Sequence, residues 1–227
     1  IVVDETSMVS LTMMARLLEA VRADARLILV GDPDQLASVE AGAVLADLVE
    51  GLGARGDLQI ATLRTSHRFG ASIGVLAQAI RDGDGDAVVR LLAAGGEHIE
   101  FVATDAPAAA LREVLVAQAL GVRAASMSGD ADAALTALGR HRLLCAHRDG
   151  PTGVRHWNRQ VERWLAEETG ESMWAQWYVG RPILVTANDY GLRLLNGDTG
   201  VTVLRGDALR VAVAGVDCVR DFATSRL

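Results

Sequence analysis

Three short polar clusters stand at the ends of apolar runs. Asp4-Glu5 follows Ile1-Val2-Val3, Gly31-Asp32-Pro33-Asp34-Gln35-Leu36 follows Leu27 to Val30, and Leu63-Arg64-Thr65-Ser66-His67-Arg68-Phe69 closes a third apolar run, Leu58 to Leu63. In an open α/β sheet, ligands bind at the carboxyl ends of the strands. A carboxylate there can hold Mg²⁺ through its water shell, and a neighbouring Glu can polarise an attacking water. A glutamine one strand over can sense a γ-phosphate or orient water. An Arg past a third strand can bring positive charge to a transferring phosphoryl group. Each cluster also has a plainer reading. Asp4-Glu5 can open a helix capped by Thr6 or Ser7. Pro33-Asp34 can be a strand-to-helix turn, and Arg68 a surface residue beside a buried Phe69.

The elements around these clusters point to an α/β fold. Leu11, Met14, Leu17, Leu18 and Val21 recur at helical spacing, as do Val44, Leu45, Leu48, Val49 and Leu52. Continuous apolar runs alternating with such stripes predict parallel strands covered on both faces. The middle of the chain repeats the alternation. Helices are expected over Ile73–Ile80, through Leu92, over Pro107–Leu120 and over residues 153–168. Strands are expected over His98–Ala103 and Leu143–Ala146, and a loop over Ser126–Gly129. Near residue 178 the pattern changes. A strand at Ile183-Leu184-Val185, a turn at Asn196-Gly197-Asp198 and a hairpin of Val201–Val203 with Leu209–Val213 around Arg205-Gly206-Asp207 predict antiparallel β.

Composition narrows the function classes. The chain has 227 residues, half of them hydrophobic, and a formal net charge of −7. That balance fits a folded chain with a sizeable core, and it argues against a broad nucleic-acid footprint while leaving room for a local basic groove. No apolar run is long enough for a membrane helix, and Ile-Val-Val-Asp-Glu is not a secretory leader. The two cysteines, Cys145 and Cys218, read as reduced, buried thiols in a cytoplasmic protein rather than as a zinc site or disulfide framework. All 22 basic residues are arginine. No lysine-dependent chemistry can reside here, and a G-x-x-x-x-G-K-[ST] phosphate loop is therefore absent. The Met8, Met13, Met14 group reads as core filler.

A basic stripe is the clearest nucleic-acid signal. Between Arg140 and Arg163 there are six arginines and only two acids, Asp149 and Glu162. Arg155, Arg159 and Arg163 recur every four residues on the helix after Gly153. With Trp157 nearby they can follow a phosphate backbone and stack a base, or form a solvated face whose Arg stems cover apolar surface. His147 and Arg148, just past a strand end, are further candidates. Trp174, Trp177 and Tyr178 are candidates for a packed junction or a subunit interface.

The order of these segments resembles the superfamily 1 DNA helicases, most closely the RecD family, the α subunits of exodeoxyribonuclease V. Asp4-Glu5-Thr6-Ser7-Met8 is similar to helicase motif II, Leu29 to Leu36 running on to Ala41-Gly42 to motif III, and Leu63 to Phe69 to motif IV. Leu143-Leu144-Cys145-Ala146-His147-Arg148 with Gly150, Gly153 and Asn158 resembles the RecD segment that follows. Gly180-Arg181-Pro182, Asn188-Asp189-Tyr190 and Asn196 to Gly200 match the lead-in to that family's small β-barrel insertion. The chain departs from the pattern at Ala37, where relatives often carry Pro.

The resemblance implies a set of roles. Asp4 would coordinate the Mg²⁺ of Mg-ATP, Glu5 would activate water, Gln35 would couple the γ-phosphate to DNA contacts, and Arg68 would act as the arginine finger. His67 would stack on the nucleotide base. His147, Arg148, Arg155, Asn158, Arg159, Asn188 and Asn196 would contact DNA. The implied fold is a pair of RecA-like P-loop NTPase lobes with parallel sheets: residues 1–63 the end of the first lobe, 64–177 most of the second, and 178–227 the start of a small antiparallel β-barrel. The implied activity is ATP-driven 5′-3′ movement on single-stranded DNA from DNA ends, in double-strand break repair, with RecB-like and RecC-like partners. In these helicases the phosphate loop precedes motif II. The chain therefore reads as the central piece of a motor, expected to bind ATP poorly and hydrolyse little by itself. A non-catalytic DNA-binding or scaffold subunit, the helicase domain of a conjugative relaxase, and a stand-alone RecD-like helicase are the alternatives.

Overall fold

The computed structural model describes residues 1–35, 43–55, 60–63, 70–215 and 218–227. They fall into two compact units, Ile1–Phe101 and Val102–Leu227. The first is α/β with a parallel pair of strands, the second is helical with an antiparallel sheet.

In the first unit β1 (Val2–Val3) pairs in parallel with β2 (Ile28–Leu29), Val2 opposite Ile28 and Val3 opposite Leu29. Helix α1 (Leu11–Ala20) lies between them in sequence, as a parallel pair requires. Ser10 starts it by accepting the Met13 backbone N–H at 3.3 Å, satisfying one of the free donors of the first turn. Then come α2 (Val44–Gly53), α3 (Ala71–Arg81) and α4 (Gly85–Ala94). Asp84 caps α4 through the Ala87 N–H at 2.9 Å. Of the α1 stripe only Met14 is buried, and Leu11 and Leu18 lie exposed. Met8 and Met13 are exposed too, so the methionine group is not the core filler its composition suggests; only Met14 is.

In the second unit α5 (Pro107–Met127), α6 (Ala131–Gly139) and α7 (Val154–Thr169) precede β3 (Pro182–Leu184), β4 (Thr199–Arg205), β5 (Ala208–Val213) and β6 (Arg220–Ala223). The strands form an antiparallel meander in chain order. Val201 pairs with Ala212 and Thr202 with Val211, so alternate residues meet opposite faces. One face, with Val201, Val203 and Ala212, packs on Val122 of α5 and Ala131, Ala134 and Leu138 of α6. The other, with Val211 and Val213, is covered by Leu194, Trp177 and Phe222. A third cluster joins Leu115 of α5 to Trp157 and Trp164 of α7. Among the described residues no helix is long and apolar enough to cross a membrane.

Several expectations change. Residues 60–63, 98–103 and 143–146 form no strand; only an isolated bridge, Gly96 to Ile99, marks the second run. Residues 58 and 59 lie outside the described residues. Leu63, Phe101 and Leu144 are exposed, so these apolar runs lack the neighbouring backbone that would turn them into strands. Helix α5 continues seven residues past Leu120, through Ser126 and Met127. Cys218 is exposed and Cys145 half-buried, which corrects the expectation of two buried thiols.

Candidate functional site: an acidic strand-end turn and two polar loops

The end of β1 is held in place by its neighbours. The Thr6 N–H donates to Val30 O at 2.9 Å, and the Thr6 hydroxyl donates to Val3 O at 3.0 Å. Thr6 is fully buried and Ser7 nearly so. Asp4 and Glu5 precede this locked 3-10 turn (Thr6–Met8) and both are exposed. Glu5 sits in the left-handed region, φ 50 and ψ 40, a conformation that costs a non-glycine residue about 1–3 kcal/mol and persists only where its surroundings impose it. Asp4 Oδ1 accepts the Glu5 N–H at 2.9 Å. Neither acid has an ion-pair partner among the described residues. A hard oxygen donor of this kind, open to solvent, fits a Mg²⁺ ion that keeps most of its waters.

Gln35 is brought to the same turn. The Ser7 hydroxyl donates to Gln35 Oε1 at 2.6 Å, which leaves the glutamine's amide N–H groups free to reach a ligand. The chain enters this loop through Gly31. A Cβ on Gly31 would lie 2.8 Å from Leu45 Cδ2 and 3.1 Å from the backbone nitrogens of Thr6 and Ser7, so the close pass of the two strand ends favours glycine. Beyond it, Asp32 Oδ1 accepts the Asp34 N–H at 3.0 Å, and Asp34 pairs with Arg81 of α3 at 3.1 Å. Gln35 is thus bonded to Ser7 of the turn that directly follows Asp4 and Glu5. His67 and Arg68 lie outside the described residues.

The DNA candidates fall on two parts of the second unit. His147 and Arg148 are exposed, and their carbonyls accept the Val154 and Arg155 N–H groups at 3.0 and 3.1 Å. That fold-back requires Gly153, whose Cβ would lie 2.5 Å from Asp149 O. A concave surface follows, lined by Asp149, Gly150, Arg155, His156, Arg159 and Arg163 among others. Arg155 pairs with Asp149 at 3.0 Å. Asn158, Arg159 and Arg163 are exposed, and the two arginines have no partner among the described residues. Trp157 is not beside this stripe as a base platform. It is buried, 6.4 Å from Trp164 between ring centres.

The second part is the β3–β4 connection. Asn188 Oδ1 accepts the Asn196 N–H at 2.8 Å, and Asn188 Nδ2 donates to the Tyr190 hydroxyl at 3.3 Å. Asn188 and Asn196 are therefore together, but much of their hydrogen bonding is spent inside the loop. Of the aromatic trio, Trp177 packs under the sheet and Trp174 is exposed. The Tyr178 hydroxyl donates to Glu162 at 3.3 Å. Burial, then the Glu162 charge, hold this phenol well above its usual range.

Two linking groups are invisible to a reading by motif. Ser7 reads as a helix-capping residue, yet it ties the acid pair to Gln35. Arg123 of α5 is buried and donates to Val179 O at 3.1 Å and to Glu171. The paired Gly180 would clash with the Arg123 Cα at 2.8 Å if it bore a Cβ.

The strand-end acid turn and the second strand's glutamine lie in an α/β unit with a parallel strand pair, consistent with a RecA-like fold. A family model described as an AAA domain matches residues 1–104. The RecBCD enzyme subunit RecD of Mycolicibacterium smegmatis is 68% identical over all 227 residues, and that of Mycobacterium tuberculosis is 66% identical over the same span. The ATP-dependent RecD2 DNA helicase of Deinococcus radiodurans is 27% identical over 94% of the chain and 26% of that protein. Along its whole length the chain is similar to these RecD subunits, and it spans 40% of the length of the mycobacterial relatives.

Proposed function

We propose that this chain is the central segment of an ATP-dependent 5′-3′ DNA helicase that moves on single-stranded DNA from DNA ends, in the repair of double-strand breaks and in recombination. The observation that carries the reading is the Ser7–Gln35 hydrogen bond at 2.6 Å, which joins the water-activating turn to the neighbouring strand's loop. Identity of 66–68% to RecBCD subunits, against 27% to a RecD2 helicase, supports RecB-like and RecC-like partners and a cytoplasmic setting over the stand-alone and relaxase-fused alternatives.

In the full-length protein, ATP would bind between two RecA-like lobes, with limits at residues 63/64 and 177/178 in this chain. Asp4 would hold Mg²⁺ through water, and the ion would neutralise charge on the β- and γ-phosphates. Glu5 would accept a proton from water as its oxygen attacks the γ-phosphorus and the bond to the β–γ bridging oxygen breaks. The Gln35 amide would meet the γ-phosphate and relay its loss to Ser7 and the acid turn. Arg68 would supply charge to the transferring group, and His67 would stack on the base. His147, Arg148, Arg155, Asn158 and Arg159 would follow the strand, with Asn188 and Asn196 on a second loop.

The test is DNA-stimulated ATP hydrolysis by the full-length protein. Glu5→Gln is expected to lower kcat by roughly 10²- to 10⁴-fold while leaving single-strand binding intact. Unchanged hydrolysis in that variant would remove the catalytic reading and leave a non-catalytic DNA-binding or scaffold subunit.

A further inference from the structure

The β3–β4 connection is far better braced than its exposure suggests. Val185 and Asp198 close its base, with Val185 N–H donating to Asp198 O and Gly197 N–H to Val185 O, both at 2.9 Å. Asp189 and Leu194 exchange two backbone bonds at 2.8 Å, and Asp189 Oδ1 accepts the Leu192 N–H at 2.9 Å. Leu194 is buried under β5. Arg220 of β6 ties the loop from outside, donating to Asp198 Oδ2 at 2.7 Å and to the carbonyl of Arg193. Arg193 itself is held at φ 58. What this bracing displays is Tyr190, 79% exposed, at the tip beside the exposed Arg193.

We infer that this tip is a single-strand contact in which Tyr190 stacks on a base and Arg193 meets the adjoining phosphate. The inference rests on the nucleic-acid reading above. A lone surface tyrosine needs no explanation, but this one has its hydroxyl held by Asn188 Nδ2 while both ring faces stay free of aromatic or cationic partners among the described residues. The exposed ring can therefore meet a base without giving up an aromatic or cationic partner. Asn188 uses Oδ1 on Asn196 and Nδ2 on Tyr190, so it positions the ring rather than reading a base edge. The platform therefore tolerates any base, because every base presents a π-face. With a net charge of −7, the chain lacks a general field for polyanions, and its hold on a strand has to come from local stacking and a few arginines.

The experiment is fluorescence anisotropy of a labelled single-stranded oligothymidine with the full-length protein. Tyr190→Ala is expected to weaken binding roughly 5- to 150-fold, the range for one lost base stack, and Tyr190→Phe, which keeps the ring, to stay close to the unsubstituted chain. On an abasic strand the difference between Tyr190→Ala and the unsubstituted chain should vanish. Arg159→Ala should weaken basic and abasic strands alike and flatten the salt dependence by about 0.7 in slope. Equal binding by Tyr190→Ala and the unsubstituted chain overturns the stacking assignment alone. An equal loss on the abasic strand does the same. No single-strand binding by the unsubstituted chain overturns the nucleic-acid reading and this inference with it. An unchanged thermal melt of Tyr190→Ala shows that the loss is not unfolding.

Discussion

In the first unit β1 and β2 pair over two residues each, and Val2, Ile28 and Val30 stay exposed. In the second unit β4 and β5 pair over six, and Val201, Val203, Val211 and Val213 have no exposed surface. A parallel pair is ordinarily covered on both faces, whereas an antiparallel meander between two helices and a loop layer closes its own core. The strand pair beside the acid turn and Gln35 thus keeps apolar side chains exposed. The β4–β5 core of the unit with the arginine stripe and the Tyr190 tip is closed, although Leu144 and Trp174 stay exposed elsewhere on that unit. The proposed nucleotide site would then lie on the more lightly packed sheet and the proposed strand contacts on the more firmly packed one, which suits a machine in which one part rearranges around a ligand while the other holds its grip.

Hydrogen exchange tests that contrast most directly. Backbone amides of β4 and β5 are expected to exchange only through global opening, and those of β1 and β2 through local opening that is faster by orders of magnitude. Equal protection of the two sheets would remove the contrast.

Truncations come next in size. Trp164→Ala removes a ring buried against Trp157 and Leu115 and is expected to cost about 3–5 kcal/mol in denaturant unfolding. Leu18→Ala in α1, where the side chain is 50% exposed, should change stability by roughly 0.5 kcal/mol or less. Gly31→Ala lies between them. Leu45 Cδ2 can swing away from the new methyl group, but the Thr6 and Ser7 backbone nitrogens cannot. The expected cost is about 1–3 kcal/mol, with a loss of ATP hydrolysis in the full-length protein larger than the stability change explains. A Gly31→Ala protein with normal hydrolysis would mean that the acid turn tolerates displacement.

The contrast also separates what was legible in the residues from what was not. Helices α1, α2, α3 and α7 follow their apolar spacing, and the β4–β5 hairpin follows Arg205-Gly206-Asp207, with Gly206 at φ 59. These depend on local pattern and turn chemistry. The failures depend on distant partners. Leu143–Ala146 and His98–Ala103 have strand-like composition, but composition does not say whether another backbone lies alongside. Helix α5 runs on past Leu120 through a buried Arg123, whose charge is met by Glu171 and Val179 O, 48 and 56 residues away in sequence. No window of the sequence contains both ends of that arrangement. Helix α6 follows Asp130, which caps it through the Ala133 N–H at 2.9 Å. That cap was readable, but its alanine-rich stripe is weak. In the site, Asp4, Glu5 and Gln35 were visible as types at strand ends, whereas the hydroxyl that joins them belongs to a residue, Ser7, that reads as an ordinary cap.

The smallest effects are in the pH dependence of the second unit. The Leu195 N–H, and then Arg220, hold the Asp198 carboxyl below its ordinary value of 3.8. A depressed carboxylate contributes stability that is fully present above its unfolded pKa and is lost as pH falls through the folded value. Asp198→Asn should flatten that acid limb and loosen the 185–198 loop. Tyr178 has the opposite sign. Its pKa is raised above 10.0 by burial and by Glu162, so its contribution is complete below pH 10.0 and disappears as pH rises through the folded value. Tyr178→Phe should remove the alkaline loss, and phenolate absorbance should show one tyrosine titrating late. If Tyr178 titrates in its ordinary range, its contact with Glu162 of α7 is looser in solution than its geometry indicates, and the firmness assigned to the second unit is lost at that junction first.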